Sequence, residues 1–295
     1  SLDEINKENW FSIKDLLISN DHIYVSFTNE QQNDCWNTSI IVAKLNSDYL
    51  NFSNFFEPKN CVKSKNNDDN EFNAHQSGGK LFKYDDNNII FTTGDYRLRK
   101  LAQDENSSFG KILKINTQTK KYEIISLGHR NPQGLFYSSN KDLLLSTEHG
   151  PDGGDEINLN LDTKIIKNFG WAISSYGEHY GGKDSPKNIG KYKKYPLHKS
   201  HKEHNFIEPI KYFVPSIGIS QLVKISDGKF LLSSLKDKSI YTFTINQKYE
   251  LVDFKRIEIG ERIRDMTTNN KKNEVILFLE DTASIGILNI KKKVN

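Results

Sequence analysis

Two polar turns separated by one short apolar run hold the densest group of chemically capable side chains in this chain. The first turn, Gly128–Gly134, carries Arg130, Asn131 and Gln133; the second carries Glu148, His149, Gly150 and Pro151. Between them, Leu143-Leu144-Leu145 has strand length, and Gly and Pro punctuate both ends. The two turns could therefore lie at the same end of a sheet and face one ligand. A Gly-Pro turn can aim two backbone carbonyls at a hard cation, although the dipeptide alone reads better as a plain tight turn. Arg262 and Arg264, two apart on a predicted strand, point to the same side. Lys236 closes the apolar run before them. Arg forks suit carboxylates and Lys supplies a point charge, while each cation alone is ordinary surface charge.

Other polar clusters are weaker. His198, His201 and His204 recur every third residue and could bind a transition metal on a helix, but the flanking Lys and Pro favour a basic loop. Lys59–Asn70 is rich in Asn and Asp, yet lacks the glycine and terminal Glu spacing of a calcium loop and reads as solvated. The basic runs Lys191–Lys194 and Lys291–Lys293 read as solvated loop and tail.

The elements that must hold these groups are short strands. Ile23–Phe27 precedes Ser39–Ala43. Triplets follow: Lys80–Phe82, Ile89–Thr93 and Lys111–Ile115; Gly134–Tyr137, Leu143–Ser146 and Glu156–Leu159; Gln221–Ile225, Phe230–Ser233 and Ile240–Phe243; Arg264–Thr267, Val275–Phe278 and Ile285–Ile290. The middle member of each unit is the most apolar, as a strand buried on both faces should be. Small antiparallel sheets repeated at about 45–65 residues are the signature of a β-propeller. Five blades are legible in one domain covering 1–295, with a long insertion at about 160–214 that should lie over a binding face.

Composition agrees. Hydrophobic residues make up 36%, with 17 Phe and 13 Tyr, which suits half-buried strands better than long buried helices. The net charge of +3, from 41 basic and 38 acidic residues, offers no clustered basic face for nucleic acid. No apolar run approaches the ~20 residues that span a bilayer. The chain starts at Ser1 without a signal peptide, which a cleaved leader would explain. Cys35 and Cys61 are compatible with one disulfide or with two thiols.

At GHRNPQG (Gly128–Gly134) and EHGPDGGDEIN (Glu148–Asn158) the chain resembles the soluble quinoprotein glucose dehydrogenase and aldose sugar dehydrogenase family. HQSGGKL (His75–Leu81), TTGD (Thr92–Asp95), FGKILKIN (Phe109–Asn116), NFGW (Asn168–Trp171), PSIGIS (Pro215–Ser220), SLKDK (Ser234–Lys238) and GERIRD (Gly260–Asp265) agree in the same order. The resemblance implies an all-β, six-bladed propeller, here short of its first blade, so that the stretch Gly128–Asn158 forms the fourth. It implies pyrroloquinoline quinone (PQQ) and Ca²⁺ as cofactors, and oxidation of an aldose C1 hydroxyl to the lactone. Electrons would pass to a soluble or dye-like acceptor, since no dinucleotide GxGxxG follows a strand. A periplasmic or secreted location goes with it.

Roles carried over by resemblance follow residue by residue. His75 is the general base, Asp95 the carboxylate that orients it, and Arg130 the cation that stabilises charge on the quinone. Asn131, Gln133 and His149 line the quinone and substrate site. Lys236, Arg262 and Arg264 anchor the quinone carboxylates, and Gly150 and Pro151 bind the Ca²⁺. His129 reads as a structural turn residue, and Asp155 and Glu156 as partners of turn backbone or ion pairs. Two departures stand out. The turn after His75, Gln76-Ser77-Gly78-Gly79-Lys80, is one residue longer than the family pattern and has Lys for Arg; the family's Gly-Leu-Leu-Gly turn is not recognisable near Glu8–Ser12. A non-catalytic propeller binding a carbohydrate or protein partner is the alternative. A calcium-dependent lactonase ranks last, because the Gly-Pro motif offers backbone carbonyls instead of converging carboxylates.

Overall fold

The computed structural model describes residues 9–46, 48–269 and 271–290. Alternating short strands and Asn/Asp/Gly turns build five antiparallel sheets. The first holds β1 (Ile13–Ser19), β2 (His22–Gln32), β3 (Cys35–Lys44) and β4 (Ser53–Phe56). The second holds β5 (Gly78–Lys83), β6 (Asn88–Thr93), β7 (Lys111–Asn116) and β8 (Tyr122–Leu127), with β12 (Lys167–Asn168) added in parallel outside β8. The third contains β9 (Pro132–Ser138), β10 (Leu143–Glu148), β11 (Asp155–Asn160) and β13 (Lys211–Phe213). The fourth contains β14 (Ile219–Ser226), β15 (Lys229–Ser234), β16 (Ser239–Ile245) and β17 (Leu251–Glu258); the fifth, β18 (Ile263–Asn269), β19 (Glu274–Leu279) and β20 (Ser284–Asn289).

The innermost strands β1, β5, β9, β14 and β18 stand side by side in that order around a central channel. Cores lie between successive blades because the middle strands send alternate side chains to opposite faces. Ile89 and Phe91 pack with Tyr24, Ile40 and Phe56 of the first sheet, while Ile90 packs with Leu135 and Leu144 of the third. Leu145, Ile157 and Phe230 join the third sheet to the fourth, and Leu231, Met266 and Leu277 join the fourth to the fifth. Each such side chain contributes about 1.5–3 kcal/mol on burial.

The last blade departs from the expectation of a doubly buried middle strand. Val275 and Leu277 face the fourth sheet, but Ile276 and Phe278 pair laterally with Ile287 and Ile285 on the opposite face. There Ile285 and Ile287 are 65% and 63% exposed. Leu16 and Ile18 of β1 are exposed likewise, and β18 and β1 do not stand side by side as the other inner strands do. The ring is open between its last and first blades.

Two polar stretches are less solvated than their composition implied. Cys35 and Cys61 form a disulfide, and Trp36 pairs with Val62 beside it. This ties the 59–70 loop to the first blade. Asp69 and Glu71, on and just past that loop, then receive Arg99, while Lys194 and Lys191 of the helix Ile189–Lys194 reach the same two acids. Both the loop and the 191–194 run therefore dock the long insertion. Lys291–Lys293 lie outside the described residues.

Candidate active site

The inner strands are irregular at one end of the channel, and the irregularities aim side chains inward. On β1 the register with β2 slips between Ile13 and Asp15, so Lys14 is an extra, bulged residue. On β18 it slips between Ile263 and Asp265, making Arg264 the extra residue, and β5 slips between Gly78 and Leu81. Bulges of this kind re-aim side chains next to functional sites. Here Lys14, His75, Lys80, Gln133, Arg264 and Asp265 line one cavity of about 340 Å³, which opens beside the wider channel of about 1130 Å³.

Charge in this pocket is arranged in layers. Lys80 is buried, with its Nζ 3.2 Å from Asp15 and 2.7 Å from Asp265. Burial pulls its ammonium down, but the two carboxylates carry it above its ordinary range. Arg264 donates to both oxygens of Glu280 at 2.9 Å, and Arg262 lies 3.4 Å from the same carboxylate. His75 stands at the mouth with its backbone N–H donating to Asn73. Burial, then the Lys14 and Arg264 charges, hold its imidazole below the usual histidine range. A ring so placed is neutral at pH 7 and able to accept a proton.

The Arg130 turn is held from beneath by Glu148, which ends β10. Its Oε1 accepts the backbone N–H groups of Arg130 and Asn131, and its Oε2 lies 2.9 Å from His129 Nδ1. His129 is itself fully buried and bonded to Ser126. Asn131 then turns outward: its Oδ1 accepts from Gly78 N and from Gln133 Nε2, both at 3.0 Å, joining this turn to the pocket wall. The Arg130 guanidinium donates to His149 O at 2.9 Å and lies over the rings of Trp171 and Tyr180. A cation fixed this way loses little entropy when a ligand arrives.

The long insertion packs over the Arg130 turn. Trp171 Nε1 donates to Asp95 Oδ2 at 2.6 Å, and Tyr180 lies over both Arg97 and Arg130. His201 stacks on Tyr176 and places its Nε2 3.4 Å from Glu156, while His198 stacks on His204. The three histidines are thus not turned to a common point.

Asp95 differs from expectation. It is fully buried, and its carboxylate takes Gln76 Nε2, the N–H of Arg97 and Trp171 Nε1. The expected bond to His75 is not formed. Burial pushes the Asp95 carboxyl above its ordinary range, against the pull of Arg130. The physical reason is position: Asp95 points under the Arg130 turn, whereas His75 points to the channel mouth.

The second turn is shaped by Asp155, whose Oδ1 accepts Gly150 N at 3.0 Å and whose Oδ2 accepts Ile219 N. Gly150 and Pro151 are buried, and among the described residues no hydrogen bond ends on either carbonyl. Buried carbonyls are normally paired, so two unclaimed ones suit a hard cation. Among the described residues no group of three or more His, Cys, Asp or Glu could hold a metal. A Ca²⁺ here would need further oxygens from ligand or water. His149 Nε2, beside this turn, is buried without a partner among the described residues. Lys236 is exposed and lines neither the pocket nor the channel.

Residues 14–289 match the family model described as glucose/sorbosone dehydrogenase. The chain belongs to that family. It is 27% identical to the aldose sugar dehydrogenase YliI of Escherichia coli strain K12 over 73% of this chain and 60% of that protein. The chain therefore spans less than two thirds of that relative's length. A crystal structure of a glucose dehydrogenase superposes with TM-score 0.76 at 22% identity, over 96% of this chain and 84% of the other. The PQQ-bound aldose sugar dehydrogenase of Streptomyces coelicolor superposes at 0.63 and 18% identity, over 93% and 73%. The likeness to these structures establishes the propeller fold.

Within this family fold, several residues at the site were not legible from the sequence. Glu148 carried a signal: a carboxylate closing the apolar strand Leu143–Glu148 must find donors when buried. Lys80 showed only as a Lys in place of Arg, and Lys14 and Asp265 carried no signal, because the meeting of the three depends on bulges in three separate blades.

Proposed function

We propose that this chain is a PQQ- and Ca²⁺-dependent dehydrogenase that oxidises the C1 hydroxyl of an aldose sugar, or a related alcohol, to the lactone. The observation that carries the reading is the shared pocket, where His75, Gln133 and Arg264 meet at the channel mouth. Support comes also from family membership and from the PQQ in the Streptomyces coelicolor relative. Bound PQQ, polarised by Ca²⁺, would supply the two-electron acceptor for the C1 hydrogen. Gly150 and Pro151 would hold the Ca²⁺ through their carbonyls.

The chain's own residues then divide the work. Neutral His75 takes the hydroxyl proton onto a ring nitrogen as the C1–O bond gains double-bond character. Arg130, clamped by His149 O and covered by Tyr180, offers fixed positive charge where negative charge develops. Arg262 and Arg264 would take ligand carboxylates by exchanging part of their contact with Glu280, whereas Lys236 is exposed and outside the pocket lining. Asn131 and Gln133 fix the wall between the two turns. Electrons leave to a soluble or dye-like acceptor. A periplasmic or secreted enzyme is the matching location; among the described residues no helix is long and apolar enough to cross a membrane.

The test mixes the protein with PQQ and Ca²⁺, follows binding by absorbance, and screens aldoses by dye reduction. Binding with sugar-dependent reduction is expected, with binding lost in the Arg262→Ala/Arg264→Ala double variant. Failure to bind PQQ, together with no reduction by any sugar, would remove the proposal. A second reading, a carbohydrate-binding propeller without catalysis, is favoured by Asp95 bonding away from His75. PQQ-independent sugar binding with no dye reduction would select it.

A further inference from the structure

The lengthened turn after His75 and the bulge on β1 solve one another's geometry. Gly79 has φ +108°, a conformation L side chains rarely adopt, and a Cβ there would overlap Cβ and Cγ of Lys14. The extra glycine is the space through which the Lys14 stem passes. Lys80 next to it is consumed by Asp15 and Asp265. Arg264 is engaged by Glu280. The Lys14 side chain, by contrast, has no hydrogen bond or ion pair among the described residues, although it is partly buried and lines both the pocket and the channel. Burial, and then Arg264, pull its ammonium down to about 8. A desolvated amine beside a second cation, with no anion of its own, is an arrangement that a bound anion would relieve.

We propose that Lys14 is an anion-binding residue of this site, taking a carboxylate of the bound ligand together with Arg264. The inference rests on the dehydrogenase reading and adds to it a cation outside the set carried over by resemblance. The carboxylate has two sources, the quinone cofactor or an acidic sugar such as a uronate. In either case Lys14 acts by holding the ligand, and its ammonium loses no atoms or electrons.

Lys14→Met keeps the buried stem and removes the charge, and Lys14→Arg restores a charge. PQQ titration with Ca²⁺, read by absorbance, is compared with KM and kcat for glucose and for glucuronate. If the cofactor supplies the carboxylate, the Kd for PQQ rises 10-fold or more in Lys14→Met, recovers in Lys14→Arg, and the ratio of the two sugars is unchanged. If the sugar supplies it, PQQ binding is unchanged and KM for glucuronate alone rises 10-fold or more. A variant that matches wild type in both measurements overturns the assignment while leaving the dehydrogenase reading intact. Wild-type protein that neither binds PQQ nor oxidises any sugar removes that reading, and the Lys14 assignment falls with it. Gly79→Ala, which displaces the Lys14 stem, should reproduce the Lys14→Met pattern if the variant shows the wild-type circular dichroism spectrum. A folded Gly79→Ala protein with unchanged Kd and KM would overturn the coupling between the two residues.

Discussion

A histidine works as a base only while it is neutral, and the neighbours of His75 enforce that state. Burial, Lys14 and Arg264 depress its pKa, so activity should persist below the ordinary histidine value of about 6.5 and fall only as pH drops through the depressed value. A pH profile of kcat/KM would read this midpoint, and Lys14→Met should move it upward. His75→Gln is expected to lower kcat by about 10²–10⁴-fold with PQQ binding retained. Glu148 shows what a buried carboxylate does structurally. Glu148→Gln puts an NH₂ group where an oxygen accepted the Arg130 and Asn131 N–H groups or His129. A loss of about 2–3 kcal/mol in urea unfolding, with weakened turnover, is the expected result.

At the scale of elements, the two faces of the fifth blade behave differently. Val275 is buried against the fourth sheet, whereas Ile287 on the adjoining strand is exposed at the ring opening. Val275→Ala should cost roughly 1–3 kcal/mol by loss of burial and a cavity, while Ile287→Thr should change stability by less than about 0.5 kcal/mol. Equal losses for both would mean that the outer face is covered in solution. The Cys35–Cys61 link acts on a different element. It closes a separation of 26 residues, and replacing both cysteines by serine should cost about 3 kcal/mol through unfolded-state entropy. The same change frees the loop that leads to Asp69 and Glu71, the acids that receive the insertion helix.

For the whole molecule, the Lys80 network joins three blades at the channel: β5 supplies the cation, and β1 and β18 supply the carboxylates. This contact reaches across the opening between the first and last blades. Lys80→Met leaves the largely buried Asp15 and the partly exposed Asp265 facing each other without a cation, which should cost about 2–4 kcal/mol at pH 7. Burial already raises the Asp15 carboxyl, with Lys80 opposing it. Without Lys80 the native state takes up a proton there more readily than the unfolded chain. Stability of the variant should therefore rise as pH falls from 7 toward 5, the reverse of an ordinary paired carboxylate. Urea midpoints at both pH values would show it.

The sequence by itself determined the repeat of short strands, the apolar middle strand of each blade and the two polar turns around Leu143–Leu145, because alternation and turn chemistry are local properties. It also named Gln133, Arg264 and, by family resemblance, His75 as candidates, and these three line one pocket. The outer strands β4, β13 and β17 were not legible, since two are very short and the third is largely polar and exposed. Whether the cysteines were bridged, which acids met the 191–194 lysines, and that Asp95 turns to Trp171 and Gln76 instead of His75 were decided only by tertiary structure. So were the bulges that aim Lys14 and Arg264 inward. A bulge is one extra residue against a partner strand, and the partner is fixed only when distant segments pair.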